Sequence, residues 1–396
     1  MATPLSSGVF TSTTTGTNQQ VQDIEKVLQV LKPYQTPLVQ WLWFYSQPAK
    51  PVVNPTGKFS WFESEFLPHQ AQLTSVVSPG SSAGSLRLTA TNVNPLEIFN
   101  TDDIVLLEAL DKALYVETTT PSEVILKSMD PGSEFEDIDA AGSFIKIIGS
   151  RNSEYNGIRK SINARETEHA NYLNIFTESI ATSGRAQAGE YYTDGLTHDE
   201  QVEKKIEEMK LQIERYFLFA PAEGYATIGN YRTTWGHGLM GRIKSNINSY
   251  SGALSETVFD THLKKVFARG SNRKLHLCGS DQLAEINKFV KDRYHIQNDL
   301  SSKMYGLQVN SYVTPFGIVD LMWDPVMDGK YSSYGFTVDA ERIRMRFMSP
   351  DKKGERKFRI EEGVETPGVD GTTTKILFDV GIEIHNEATH GLLRKS

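Results

Sequence analysis

The chain has one cysteine in 396 residues, Cys278. That excludes an intramolecular disulfide and a cysteine-based zinc site, and it suits a reducing compartment. Nowhere does an apolar run approach the roughly 18 residues that a membrane span needs. The first twenty residues are Ser/Thr-rich and uncharged, without the basic and apolar regions of a secretory signal. Asn54-Pro55-Thr56 has the outline of a glycosylation acceptor, but its proline excludes it. Together these absences predict a protein made and kept in a cytoplasm, without export and without a membrane. A basic excess is also missing. Against 41 Lys+Arg stand 49 Asp+Glu, a net charge of −8, unlike a free-standing nucleic-acid binder. Aromatics at 10% and hydrophobic residues at 39% are too many for a wholly disordered chain. The length gives a prior of two or three domains.

What is present falls into blocks. Residues 4–20 hold eight Ser/Thr and read as an arm. Residues 21–31 carry Val21, Ile24, Val27, Leu28 and Leu31 at helical spacing, and Lys32-Pro33 ends the pattern. Residues 36–61 place Trp41, Trp43, Phe44 and Tyr45 beside Pro48, Pro51 and Pro55. This predicts an extended segment packed either in its own core or on a partner subunit. Residues 85–91, 104–110, 113–119, 123–129 and 144–148 read as five short strands separated by turn signals, a small barrel or sandwich. Residues 92–140 contain twelve acids and two bases, a net of −10, so the remainder of the chain sums to +2.

Residues 164–190 read as extended. Thr197-His198-Asp199-Glu200 is a capping box. After it Val202, Ile206, Met209, Ile213 and Phe217 form one apolar stripe over a helix at 198–218. A single narrow stripe predicts that this helix lies across a sheet. Beyond it, helices are predicted at 256–268 and 280–292, the second capped by Ser280. Strands are predicted at 274–278, 335–338, 343–348, 358–360 and 374–386, with a hairpin from 307 to 323. The pattern is α+β.

Few motifs carry chemistry. Gly236-His237-Gly238-Leu239-Met240-Gly241 matches a dinucleotide fingerprint but lacks the buried strand before it, so a flexible turn is expected. A nucleotide-dependent enzyme would rest on this motif alone. His276 and Cys278 fall on one strand face, yet no third group completes a nucleophile, so Cys278 is expected to be structural. His385 and His390 are five apart, unlike the zinc-protease spacing, and the C-terminus is expected to fray. We therefore expect no enzyme, no cofactor, no metal and no catalytic residue. Residues 342–359 hold eight bases against two acids. There Arg342, Arg344 and Arg346 alternate with Ile343, Met345 and Phe347. One strand face is thus cationic, either a solvated edge or a phosphate-facing surface.

The order of Lys58-Phe59-Ser60-Trp61-Phe62-Glu63, the β-rich insert, Asn171-Tyr172-Leu173-Asn174-Ile175-Phe176, the helix at 198–218 and the α+β remainder resembles the major capsid proteins of tailed double-stranded-DNA bacteriophages. It is nearest to the family with a β-domain inserted in the extended loop. The resemblance implies an N-terminal arm (1–57) and an extended loop (58–190) bearing a small β-barrel at about 84–150. It also implies a peripheral domain (191–230 and 345–396) with a spine helix, and an axial domain (231–344). It implies a structural subunit that self-assembles into hexamers and pentamers of an icosahedral head around double-stranded DNA. Assembly would take place in the host cytoplasm, with a portal. No long coiled segment stands before the arm, so the scaffold is expected to be a separate protein.

On this reading Trp41, Trp43, Trp61, Phe62, Tyr172 and Phe176 are candidate assembly contacts. Arg342, Arg344 and Arg346 should face the interior or an interface, and the acidic block should face outward, away from DNA. The alternative is a virion-decorating or tail-associated binding protein built around the β insert.

Overall fold

A computed structural model describes residues 36–44, 50–80, 84–89, 93–94, 96–130, 135, 142–152, 154, 161–189, 197–291, 310–352 and 354–396. The predicted helix at 21–31 lies outside them. The chain divides into two compact units, Phe62–Glu168 and the remainder, Met1–Trp61 with His169–Ser396.

The Phe62–Glu168 unit is one antiparallel sheet of eight strands. Their spatial order is Ser78–Pro79, Ser85–Thr89, Glu123–Ser128, Lys112–Thr119, Asp103–Leu107, Phe144–Ser150, Gln70–Leu73 and Val93–Asn94. Five match the sequence reading closely. Gln70–Leu73, Ser78–Pro79 and Val93–Asn94 are additional, two to four residues each, too short to show alternation. Alternation elsewhere does what a half-buried strand requires. Val105, Leu107, Leu114, Val116, Val124, Leu126 and Ile145 all point into one core with no exposed surface. Within this unit the acids find bases that flank the acidic block in sequence. Arg87 pairs with Glu123, Lys146 with Glu108, and Arg151 with Asp102 at 2.9 Å. The whole unit still carries seventeen acids and eight bases, a net of −9.

The other unit opens with α1, Pro37–Phe44, where an extended segment was expected. Proline suits the first helical position because no N–H is needed there. The helix is possible because Leu38 and Val39 give their N–H groups to the buried carboxylate of Glu214, each at 2.7 Å. That partner lies 175 residues away in sequence, which is why the local reading missed the helix. Strands Lys58–Glu63 and Thr167–Tyr172 pair with each other. Asn174–Ser183 then leads into α2, Gly184–Ala188, which Ser183 caps.

The long helix α3, His198–Phe219, has 22 residues and spans about 33 Å. Thr197 takes the extended N-cap conformation, but its side chain makes no capping hydrogen bond. Asp199 and Glu200 in the first turn instead complement the helix dipole. Met209, Ile213, Phe217 and Leu218 bury one face against the sheet of Asn174–Ser183, Gly371–Ile384 and Ile343–Phe347. Full burial of Phe217 stabilises by about 2–3 kcal/mol. The helix stops at Pro221.

The glycine motif follows. It is not a flexible turn: it packs on the end of α3 and starts α4, Leu239–Arg242. A Cβ on Gly238 would strike the carbonyls of Phe217 and Tyr216, and one on Gly241 the carbonyl of Pro221. Both obstacles are backbone and cannot swing away. We expect Gly238→Ala to lower unfolding stability by about 1–3 kcal/mol. Urea denaturation would show it, and an unchanged midpoint would sink the packing argument.

The rest is a mixed six-stranded sheet ordered Ile247–Tyr250, Gly391–Lys395, Gly335–Asp339, Arg273–Cys278, Gly317–Trp323 and Asn310–Thr314. Against it lie α5, Glu256–Phe267, and α6, Ser280–Lys291. Ser255 caps α5. Ser280 is the first residue of α6 rather than its cap, and its N–H is held by Asp328 Oδ1 at 2.9 Å. The C-terminus does not fray. Leu392 and Leu393 are buried, and their strand pairs on both sides.

Candidate functional site

Strand Ile343–Phe347 pairs antiparallel with Gly371–Ile384, setting Arg344 opposite Glu383 and Arg346 opposite Gly381. Ile343 and Met345 are buried, and Arg344 and Arg346 lie half-buried on the other face. The predicted alternation is therefore present, and on that face Arg346 finds a carboxylate within the chain. Arg346 pairs with Glu383, donates to the carbonyl of Lys50, and lies 5.6 Å over the Phe59 ring. Burial would raise the Glu383 carboxyl, yet His385 and Arg346 outweigh it and hold the group below its ordinary range. Arg356 binds Asp379 at 3.0 Å, and Arg359 binds Asp351 at 2.8 Å and Glu361 at 3.0 Å. A sequence count sees Asp351 and the neighbouring Glu361 but cannot see Asp379 and Glu383, which the sheet brings across. Arg342 sits in the turn Ala340–Arg342 and is exposed.

The aromatic candidates scatter. Trp41 and Trp61 are 7% and 6% exposed, so both are spent on the chain's own core rather than on its surface. Trp61 packs with His169, His385 and the Arg242 guanidinium. Trp43 is half-buried beneath Lys357 Nζ at 3.7 Å. Phe176 meets Tyr216 edge-on, 5.3 Å between centroids. Tyr172 packs against Tyr225, with Arg232 over both rings. Of the six, Phe62 alone is widely exposed, at 66%.

The most exposed apolar groups were not foreseen. Phe66 is 98% exposed. A hairpin of Gly224–Ile228 and Tyr231–Trp235 displays Tyr225, Ile228 and Tyr231, with Ile228 and Tyr231 directly opposed. Its two-residue turn, Gly229-Asn230 with Gly229 at φ +61°, is a hairpin signal that the sequence does contain. Val313 and Ile318, partners in another hairpin, are likewise exposed. Clustered apolar groups of this kind bind other protein surfaces and offer no reaction chemistry.

The remaining motifs are internal. His276 is satisfied by Thr337 and Gln282, and Cys278 leans on the carbonyl of Met322, so they form no thiol–imidazole pair. Burial pushes the Cys278 thiol up. His390 accepts the Asp339 N–H and is fully buried. Among the described residues no group of His, Cys, Asp and Glu could hold a metal ion, and no helix is long and apolar enough to cross a membrane.

Comparison with known proteins adds to this. A structure from Mycobacterium phage Bobi is similar to this chain at 9% identity and a TM-score of 0.46, covering 96% of each. The capsid of a native GTA particle is similar at 8% identity and 0.49, covering 97% of this chain and 98% of that one. The holo-SrpI encapsulin complex from Synechococcus elongatus is similar at 13% identity and 0.39, covering 59% and 75%. No curated protein matches. The family model for the SU10 major capsid protein matches residues 10–396, nearly the whole chain. With its α+β architecture and its exposed apolar hairpins, the chain belongs to the SU10 major capsid protein family and is a structural protein of a capsid shell.

Proposed function

We propose that copies of this chain close an icosahedral head of hexamers and pentamers around double-stranded DNA, in a host cytoplasm. A portal and a separate scaffold protein would take part, and the chain itself would be structural rather than catalytic. The family match over residues 10–396 carries this reading. Residues 1–57 would be the arm and 58–190 the extended loop with its insert. Residues 191–230 with 345–384 would be peripheral, around α3, and 231–344 axial. The last strand, Gly391–Lys395, shares a sheet with Ile247–Tyr250 and Gly335–Asp339, so we group it with the axial part. The exposed Phe62, Phe66, Tyr225, Ile228 and Tyr231 would meet neighbouring copies, as repeated weak contacts suffice in a symmetric shell. Arg342, Arg344 and Arg346 would face the interior or an interface, and the −9 unit the outside.

Co-expression with a candidate scaffold, followed by cryo-EM, tests the reading. Closed shells with this chain as the major component are expected. Particles in which it is minor, or lies outside the shell, would refute it.

A further inference from the structure

Glu214 and Asp324 both lie inside the Met1–Trp61/His169–Ser396 unit, with no exposed surface on either. Both Glu214 oxygens accept first-turn N–H groups of α1, from Leu38 and Val39. A helix cannot satisfy these donors by itself. Asp324 Oδ1 accepts the Val326 N–H at 2.9 Å. Asp324 Oδ2 is buried and receives no hydrogen from a protein N–H or hydroxyl. The Asp324 and Glu214 carboxyls are side-chain neighbours. Two ionised carboxylates are both acceptors, so a contact of this kind needs a proton on one of them.

The cation packed on α1, Lys357, lies over the Trp43 ring at 3.7 Å. Helix α1 has no titratable side chain. The turn after Asp324 adds Asp328, and strand Arg273–Cys278 adds Cys278. The ionisable groups on other elements against α3 are engaged elsewhere: Arg242 over Trp61, Glu178 with Lys205, Asp379 with Arg356, Glu383 with Arg346.

We propose that this pair is a proton-held latch: a proton shared between Asp324 and Glu214 keeps α1 docked on α3, and its loss to solvent releases α1. With both groups ionised, two buried charges repel. Glu214 can withdraw only by giving up Leu38 and Val39. The sign follows from burial, which raises both carboxyls, Asp324 to about 6. The docked state therefore holds a proton that an undocked, solvated pair would release near pH 4. Docking is strongest below about pH 4 and weakens as pH rises from there through 6, levelling off once the docked pair has lost its proton.

Hydrogen exchange of peptides spanning 36–44 in the full chain, corrected for intrinsic rates, tests this between pH 5 and 8. Protection in the wild type should fall as pH rises from 5, by up to about tenfold per pH unit for one linked proton, and level off once the docked pair has lost that proton. Asp324→Asn, whose amide donates permanently, should hold it flat. Glu214→Gln should lower it at every pH. A flat wild type, or the wild-type slope in Asp324→Asn, overturns the latch. Should Asp324→Asn fail to fold, infrared spectroscopy of the wild type decides. A protonated-carboxyl band lost in step with α1 exchange supports the proposal, and its absence at pH 5 overturns it. Protection that tracks added divalent cation instead of pH would mean a bridging metal, which also overturns it.

Discussion

Acidification from pH 7 toward pH 4 should unfold the six-stranded sheet and α5, because three buried histidines there must take up protons. His262 binds Thr337 Oγ1 at 2.9 Å and Asn248 at 2.7 Å, and His276 binds the same threonine hydroxyl at 2.8 Å. That hydroxyl has one hydrogen, so it donates to one ring and accepts from the other. His390 accepts from Asp339 N and donates to the carbonyl of His385. None has room for a second donor with an acceptor to receive it. Burial pushes His262 down to about 3, and His276 and His390 to about 4.

The unfolded chain binds protons at these sites near pH 6.5 and the folded chain does not. Stability from the neutral rings is complete above pH 6.5 and is lost as pH falls toward 4. Each group contributes about 3–5 kcal/mol at full effect, and the sum is on the order of the whole stability of a domain. Circular dichroism against pH should show a cooperative loss between those limits. His276→Gln, which removes one titration, should lower the acid midpoint relative to its own neutral-pH stability. An unchanged profile would exclude the histidines as the cause.

The second large effect is expected at Lys274. Its ammonium has no exposed surface, and it donates to the carbonyls of Thr389 at 2.7 Å and Arg269 at 3.0 Å, with Asp339 at 3.4 Å. Burial lowers the lysine, and Asp339 partly offsets this. Burial would also raise Asp339, but Ser271 and Lys274 outweigh it and hold the carboxylate below its ordinary range. The site ties the start of strand Arg273–Cys278 to the end of Gly335–Asp339 and to the loop before the last strand. Lys274→Met leaves two carbonyls without their lysine donor and a buried carboxylate without its counter-charge. Urea unfolding of the unassembled chain should show a loss of about 3–5 kcal/mol. Lys274→Met/Asp339→Asn removes the orphaned charge while keeping an acceptor for Ser271, and should recover part of that loss. Equal stability of the single variant and the wild type would show that the pair is not held as described.

Five strands of the insert, helices α3, α5 and α6, and most of the last strands were legible in the sequence. In each, a hydrophobic period or a local turn signal lies within a single stretch. Helix α1 was not legible, since its first-turn donors are satisfied by Glu214 from far along the chain. Nor was the order of the C-terminus, where Leu392 and Leu393 look like two apolar residues in a polar tail until two strands close around them.

The candidate surfaces divide in the same way. Sequence alone determined that this is an α+β chain, with its acidity gathered in one segment and a long one-sided helix. It also determined the motif order that points to a shell subunit. Tertiary structure decided which of those residues remain available. Trp41 and Trp61 went into the core, Arg346 and Arg356 found carboxylates across the sheet, and Phe66, Tyr225 and Tyr231 were left uncovered. The reason is physical. Periodicity and charge counts are properties of neighbours in sequence, whereas burial and charge pairing depend on partners that only the closed sheets bring together.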